Sequence, residues 1–246
     1  MPSIISYMPT RRTFYWTLGG AIALFILPRP RIAKAAGVLI MDTTGKLVDA
    51  GQALQFRLSL PLGGQKYAPV MLKISRETGV SPFLLAAIMQ RESAFGATLV
   101  PKGPGGTGDR GYGHGLMQID KRFHSDFLAK GTWHIPEHNL RYAVNAVVKP
   151  YMAHFVKVPT VGARILVPKT YKRRGLTPGD YPDPRPLTGE LLQAATIASY
   201  NAGPGAVLFA VASGADPDTV TTGKDYSTEV VGKLTAYVSK FDTLVG

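Results

Sequence analysis

Cysteine is missing from this chain of 246 residues. Disulfides and thiolate metal sites are thereby excluded, and thiol usage carries no information on compartment. Acidic residues are scarce: 16 Asp and Glu stand against 28 Lys and Arg, a formal charge of +12. A balance of that kind draws a protein towards polyanions, whether nucleic acid or a wall with peptide carboxylates and anionic polymers, and charge alone does not choose between them. Charged residues of both signs make up 18% of the chain against 45% apolar ones, which excludes a largely disordered polypeptide and allows one domain with a real core. There is no internal repeat and no continuous coiled-coil pattern. No basic strand interleaved with aromatics and no recognition motif supports nucleic acid as the partner. The five histidines (His114, His124, His134, His138 and His154) form no HExxH or comparable cluster, and His134 and His138 bracket Pro136, which keeps them off one helix face. Neither a metal nor a cofactor is expected.

At the N-terminus, Arg11-Arg12 precedes the apolar run Phe14 to Leu27. That run suits the apolar core of a signal and is short for a spanning helix, which takes roughly 20 residues. Ala33-Lys34-Ala35 then offers a small-x-small cleavage site. Residues 1–35 read as an export segment, removed or kept as an anchor; the alternative is a membrane or core helix. The arginine pair partly matches a twin-arginine signal, with Tyr15 and Trp16 after Phe14 as the departure, and an ordinary Sec signal suits it as well. The expected location is periplasmic or extracellular. Without the five basic residues of this segment, 23 basic residues face 16 acidic ones, a charge of +7.

Residues 36–66 read as an extension of irregular structure or a short strand, with a turn at Asp42-Thr43-Thr44-Gly45. The main domain is expected over 67–246. Tyr67 to Thr78 suits a helix that buries Val70, Leu72 and Ile74 and stops at Gly79. Ser81-Pro82 marks the next start, Ser at the N-cap and Pro in the first turn.

Leu85, Ile88 and Glu92 then fall at i, i+3 and i+7, so Glu92 continues an apolar face of its own helix. A carboxyl held against apolar neighbours is costly to ionise and its pKa rises, as a general acid near neutral pH requires. The plainer alternative is an exposed last-turn glutamate paired with Arg91 or a later cation. Seven glycines follow between Gly103 and Gly115, implying tight turns and close backbone approach. This stretch passes directly into Leu116-Met117-Gln118-Ile119, of strand or buried-turn type, which a flexible linker would not do. Asp109 and Asp120 flank the segment. One acid kept protonated and a second carboxylate to handle water is what cleavage of a glycosidic bond needs. Both aspartates equally suit ordinary turn or cap duty, Asp120 as an N-cap in particular.

Leu140, Ala143, Val144, Val147, Val148, Tyr151, Met152 and Phe155 recur at helical spacing and predict a core helix. Residues 157–189 break the pattern with six prolines and seven Lys and Arg against two Asp, densest at Lys172-Arg173-Arg174. They read as a solvated loop or as a contact surface for an anionic wall polymer. Gly189 to Tyr200 is helical, with Leu192, Ala195, Thr196 and Ser199 on one stripe. It ends at Asn201-Ala202-Gly203, and Pro204 opens the next helix. A last helix starts near Asp225 and carries Val230, Leu234, Val238 and Phe241.

Three blocks, in this order and spacing, resemble the goose-type lysozymes within the wider lysozyme and soluble-lytic-transglycosylase superfamily. They are Arg91-Glu92-Ser93; Gly108-Asp109-Arg110-Gly111 through Gly115-Leu116-Met117-Gln118-Ile119-Asp120-Lys121-Arg122 to Gly131-Thr132-Trp133; and Ser199-Tyr200-Asn201-Ala202-Gly203-Pro204-Gly205 with Asp225-Tyr226 beyond. The resemblance covers residues 81–246. It implies a mainly α fold with a small β element beside a substrate cleft (α+β, lysozyme-like). It also implies cleavage of the β-1,4 bond between N-acetylmuramic acid and N-acetylglucosamine in peptidoglycan glycan strands. By the same resemblance Glu92 is the general acid, Asp109 and Asp120 hold the attacking water, and Gln118, Tyr200, Asn201 and Tyr226 line the cleft. His114 stands where an aromatic is common and is taken as a further substrate-binding position. Other departures are the missing disulfides and a 157–189 segment longer than its usual counterpart.

A monomer acting by inverting hydrolysis is expected, since transglycosylases of the superfamily usually lack both aspartates. The rivals are a lytic transglycosylase, which uses the substrate's own hydroxyl and leaves an anhydro end, and a wall-binding module without activity.

Overall fold

The structure, a computed structural model, describes residues 15–18, 21–24, 50–157 and 186–245, and most of the described residues from Ala50 onwards are helical. The fold is mainly helical with a small antiparallel sheet, as expected. The first correction falls in the segment read as irregular: α1 (Ala50–Ser59) and the single turn α2 (Leu62–Gln65) are helical. The cause is tertiary. Phe56 and, just beyond α1, Leu60 are fully buried, and the Phe56 ring meets Phe83 edge-on at 5.1 Å.

Helix α3 (Ala68–Thr78) buries Met71, Leu72 and Ile74, with Val70 only partly covered, and stops at Gly79 in the left-handed conformation. Helix α4 (Pro82–Ser93) starts at Ser81-Pro82, but the Ser81 hydroxyl makes no capping bond. Every residue from Pro82 to Met89 is buried, so α4 is a central helix rather than a two-faced one. A short helix α5 (Ser125–Ala129) follows the sheet region.

The single helix expected over 140–155 comes in three parts: α6 (Pro136–Tyr142), a wider-turned stretch Ala143–Val148, and α7 (Lys149–Lys157). Lys149 donates its amide to the Val144 carbonyl five residues back, and Pro150, which follows, has no amide to restore the regular ladder. Helix α8 (Gly189–Ala202) and α9 (Pro204–Ala212) meet α7 over a second core of Met152, Phe155, Leu192, Ala195, Val207 and Leu208. The long α10 (Tyr226–Val245) packs on α4, α1 and α8 and brings Phe241 to 5.7 Å from Phe83.

Two small sheets complete the described residues. Strand β1 (Tyr15–Leu18) pairs antiparallel with β2 (Ala21–Leu24), Tyr15 opposite Leu24, so this part of the apolar run is extended. The remainder of residues 1–35, which the sequence suggests as an export segment, with Ala33-Lys34-Ala35, residues 36–49 with the turn expected at Asp42-Thr43-Thr44-Gly45, and residues 158–185 of the basic segment lie outside the described residues. Among those described, no helix is long and apolar enough to cross a membrane. The second sheet, β3 (Thr107–Gly108), β4 (Gly113–His114) and β5 (Ile119–Asp120), is antiparallel in that order, with Gly108 opposite Gly113 and Gly113 opposite Asp120.

Candidate active site

Glu92 sits in the last turn of α4, directly after the buried run. Its half-buried carboxyl accepts a short hydrogen bond from the Tyr226 hydroxyl at the start of α10. Desolvation raises its pKa to about 7, against the opposing influence of the Tyr226 hydroxyl and the Arg91 charge. The alternative in which Arg91 pairs with Glu92 is not what forms. Arg91 turns to α10, where its guanidinium lies 2.5 Å from Glu229 and 3.5 Å from Asp225 and covers the Tyr226 ring at 5.3 Å.

Tyr226 is 1% exposed, so it presents its hydroxyl to Glu92 rather than a face to solvent. Tyr200, half-buried on α8, lies parallel to it at 6.5 Å and donates its hydroxyl to the Met117 carbonyl at 2.7 Å. Both phenols are held well above their usual pKa, by burial first and then by the Glu92 charge, so they act as hydrogen-bond donors at neutral pH.

The chain leaves Glu92 through a tight reversal. Ser93 is buried, donates to the Leu116 carbonyl at 2.7 Å and accepts from the Gly96 amide at 3.0 Å, stitching the end of α4 to the sheet region. Ala94 and Phe95 then take positive φ, as do Asp109, Arg110 and Gln118. Among the described residues only Lys224 joins them outside glycine. Side-chain-bearing residues seldom adopt this conformation, and where they do the surroundings must hold them there.

Gln118 explains two of the glycines. Its side chain donates to the Gly115 carbonyl at 2.8 Å, and a Cβ on Gly108 or Gly113 would stand 2.3 Å from its Oε1. Gly115 is fixed by Asn139, a buried side chain that accepts from the Met117 amide at 2.8 Å and donates to the His114 carbonyl at 3.1 Å. The His114 ring meets Trp133 edge-on at 4.9 Å.

The two aspartates meet through Arg122. Its guanidinium grips Asp120 at 2.5 and 3.0 Å, reaches Asp109 at 3.4 Å, and lies over the Tyr112 ring at 4.4 Å. Partial burial works to raise the Asp120 pKa, but the side-chain and backbone bonds from Arg122 outweigh it and hold the carboxyl below its usual range. Asp109 is 64% exposed. The Asp120 side chain closes a turn onto the Arg122 amide at 2.8 Å; the N-cap position of α5 belongs to His124.

One cluster therefore joins Glu92, Tyr226 and Tyr200 to Met117, and a second joins Asp109 and Asp120. Ser93 and the 116–120 segment connect them. Asn201 stands apart from both: its carboxamide accepts the Thr222 amide at 2.7 Å. Sequence reasoning gave no role to Arg122, Asn139 or Asp218. Only Arg122, two residues after Asp120, carried a local signal. Among the described residues, no three His, Asp or Glu side chains converge as metal ligands.

A family model described as Lysozyme g matches residues 63–152. Lysozyme g of Takifugu rubripes is 30% identical over 178 residues, 71% of this chain and 75% of that protein. Lysozyme g of Cyprinus carpio is 29% identical over 177 residues, 72% and 75% respectively. Lysozyme g of Gallus gallus is 38% identical over 73 residues, 30% of this chain and 31% of that protein.

Proposed function

The chain belongs to the goose-type lysozyme family, and from that premise we propose that it is a muramidase acting on peptidoglycan glycan strands by inverting hydrolysis of the N-acetylmuramic acid–N-acetylglucosamine β-1,4 bond. The observation that carries this reading is the Glu92 carboxyl, desolvated at the end of a buried helix with its pKa near 7. A carboxyl of that kind is still protonated as neutral pH is approached and can give its proton to the leaving glycosidic oxygen. Water attacks from the opposite face of the sugar, and a carboxylate must take its proton. Asp109 and Asp120 are the acids of the adjoining loop; both pair with the Arg122 guanidinium, which favours the ionised form of Asp120. In this reading Gln118, Tyr200, Asn201, Tyr226 and His114 shape the substrate site. Residues 1–35 direct export, 67–246 form the catalytic domain, and the basic segment 157–189 meets anionic wall polymers.

A second reading, lytic transglycosylase activity, draws on one observation. Both Asp120 oxygens are taken up by Arg122, as suits a structural carboxylate. The double substitution Asp109→Asn with Asp120→Asn tests the choice. Under the hydrolytic reading it suppresses turnover far more than glycan binding, measured by product release and by equilibrium binding of chitooligosaccharide. Equal loss of both would make the aspartates structural.

A further inference from the structure

Asp218 is a carboxylate with only 3% exposure, and nothing in the reaction uses it. It lies in the turn Pro217–Val220, ahead of α10. Its Oδ1 accepts the Ser227 amide at 2.7 Å, and its Oδ2 accepts the Thr228 amide, the Ser227 hydroxyl and the Thr228 hydroxyl at 2.8 to 2.9 Å. The Thr221 hydroxyl reaches it at 3.3 Å. The first amides of a helix have no partner within it, and here a residue from outside the helix takes two of them. Desolvation works against this charge, but the bonds from Ser227 and Thr228 outweigh it and hold the pKa low, so the carboxylate stays ionised.

The first residue of that helix is Tyr226, whose hydroxyl bears on Glu92. A second strap runs from α8: Asn201, beside Tyr200, takes the Thr222 amide of the turn between Asp218 and Tyr226. We infer that Asp218 is a positioning residue for the acid, locking the start of α10 so that the Tyr226 hydroxyl stays on the Glu92 carboxyl. The inference rests on the reading of Glu92 as general acid. Ser227 and Thr228 bind the Asp218 oxygens through both backbone and side chain, which fixes position and rotation of the first turn together. A shift of the phenol by an ångström would misplace the proton donor.

The acid works only while protonated, so activity falls as pH rises through its pKa. The Tyr226 hydroxyl opposes the rise in that pKa. Losing it therefore moves the alkaline limb of kcat to higher pH.

The test is the pH dependence of kcat and KM for the full chain on soluble peptidoglycan oligomers, with folding followed by circular dichroism. Asp218→Asn is expected to lower kcat by about 10- to 100-fold with KM little changed. Its alkaline limb should move upwards, as it should in Tyr226→Phe. If Asp218→Asn does not fold, Thr228→Val decides, since it removes one donor from the same carboxylate; it should show a smaller loss and a shift of the same sign. A folded Asp218→Asn or Thr228→Val with wild-type kcat and limb, beside a shifted Tyr226→Phe, would overturn the inference and leave the general acid standing. An unshifted Tyr226→Phe would overturn it too. Cleavage by a folded Glu92→Gln would instead remove the reading beneath it.

Discussion

Between pH 4.5 and about 7, Glu92 holds a proton in the folded chain that it has released in the unfolded one. Its contribution to stability is whole below that window and is lost as pH rises through it, because the ionised form is the one penalised by burial. Glu92→Gln removes the titration. Relative to the wild type, the variant should gain nothing at pH 4 and at most about 3 kcal/mol at pH 8. Urea unfolding at the two pH values measures the difference, and an equal difference at both would contradict a desolvated acid. The apolar setting of this residue was legible in the spacing of Leu85 and Ile88. Its hydrogen-bond partner was not, because Tyr226 lies 134 positions away and meets it only through helix packing. The alternative pair of Glu92 with Arg91 rested on proximity in sequence alone, whereas the helix turns Arg91 outwards to Asp225 and Glu229. Local pattern likewise left Asp109 and Asp120 open between turn duty and chemistry, and the Arg122 grip on both becomes visible only once the sheet is folded.

Among the secondary elements, the three-stranded sheet is the one most tightly constrained by small residues. Gly113→Ala would drive a Cβ to 2.3 Å from Gln118 Oε1. The expected cost is about 1–3 kcal/mol, with a loss of activity as Gln118 is displaced. Gly232→Ala in α10 meets no atom within 4 Å and should stabilise by up to about 1 kcal/mol. Chemical denaturation of the two variants measures both, and equal effects would contradict the role given to Gln118. Element ends were readable where the backbone itself imposes them: Pro82 and Pro204 at starts, Gly79 at a stop. Helix α1 was not readable, since burial of Phe56 and Leu60 against α4 and α10 holds it and its own sequence shows little periodicity. The wider turns at Ala143–Val148 escaped for a different reason, because the apolar spacing there matches an ordinary helix.

For the whole molecule, charge pointed to a polyanionic partner without choosing between nucleic acid and a wall, composition pointed to one domain with a real core, and three separated blocks pointed to its family. Composition could not reveal that the core divides in two, one part around α4 and α10 and another beneath α7, α8 and α9. Under the proposed function, the net charge of +12 makes attachment to whole walls partly electrostatic. Removing residues 158–185 takes away six of the basic residues and should weaken sedimentation with intact walls at low salt while sparing turnover of short oligosaccharides. The opposite selectivity would put that segment at the catalytic site. The central claim is met most directly by mass spectrometry of the muropeptides that the purified protein releases, beside its Glu92→Gln variant. Muramidase action predicts products with free reducing ends that disappear in the variant. Products lighter by one water, with anhydro ends, or undiminished release by the folded variant, would contradict it.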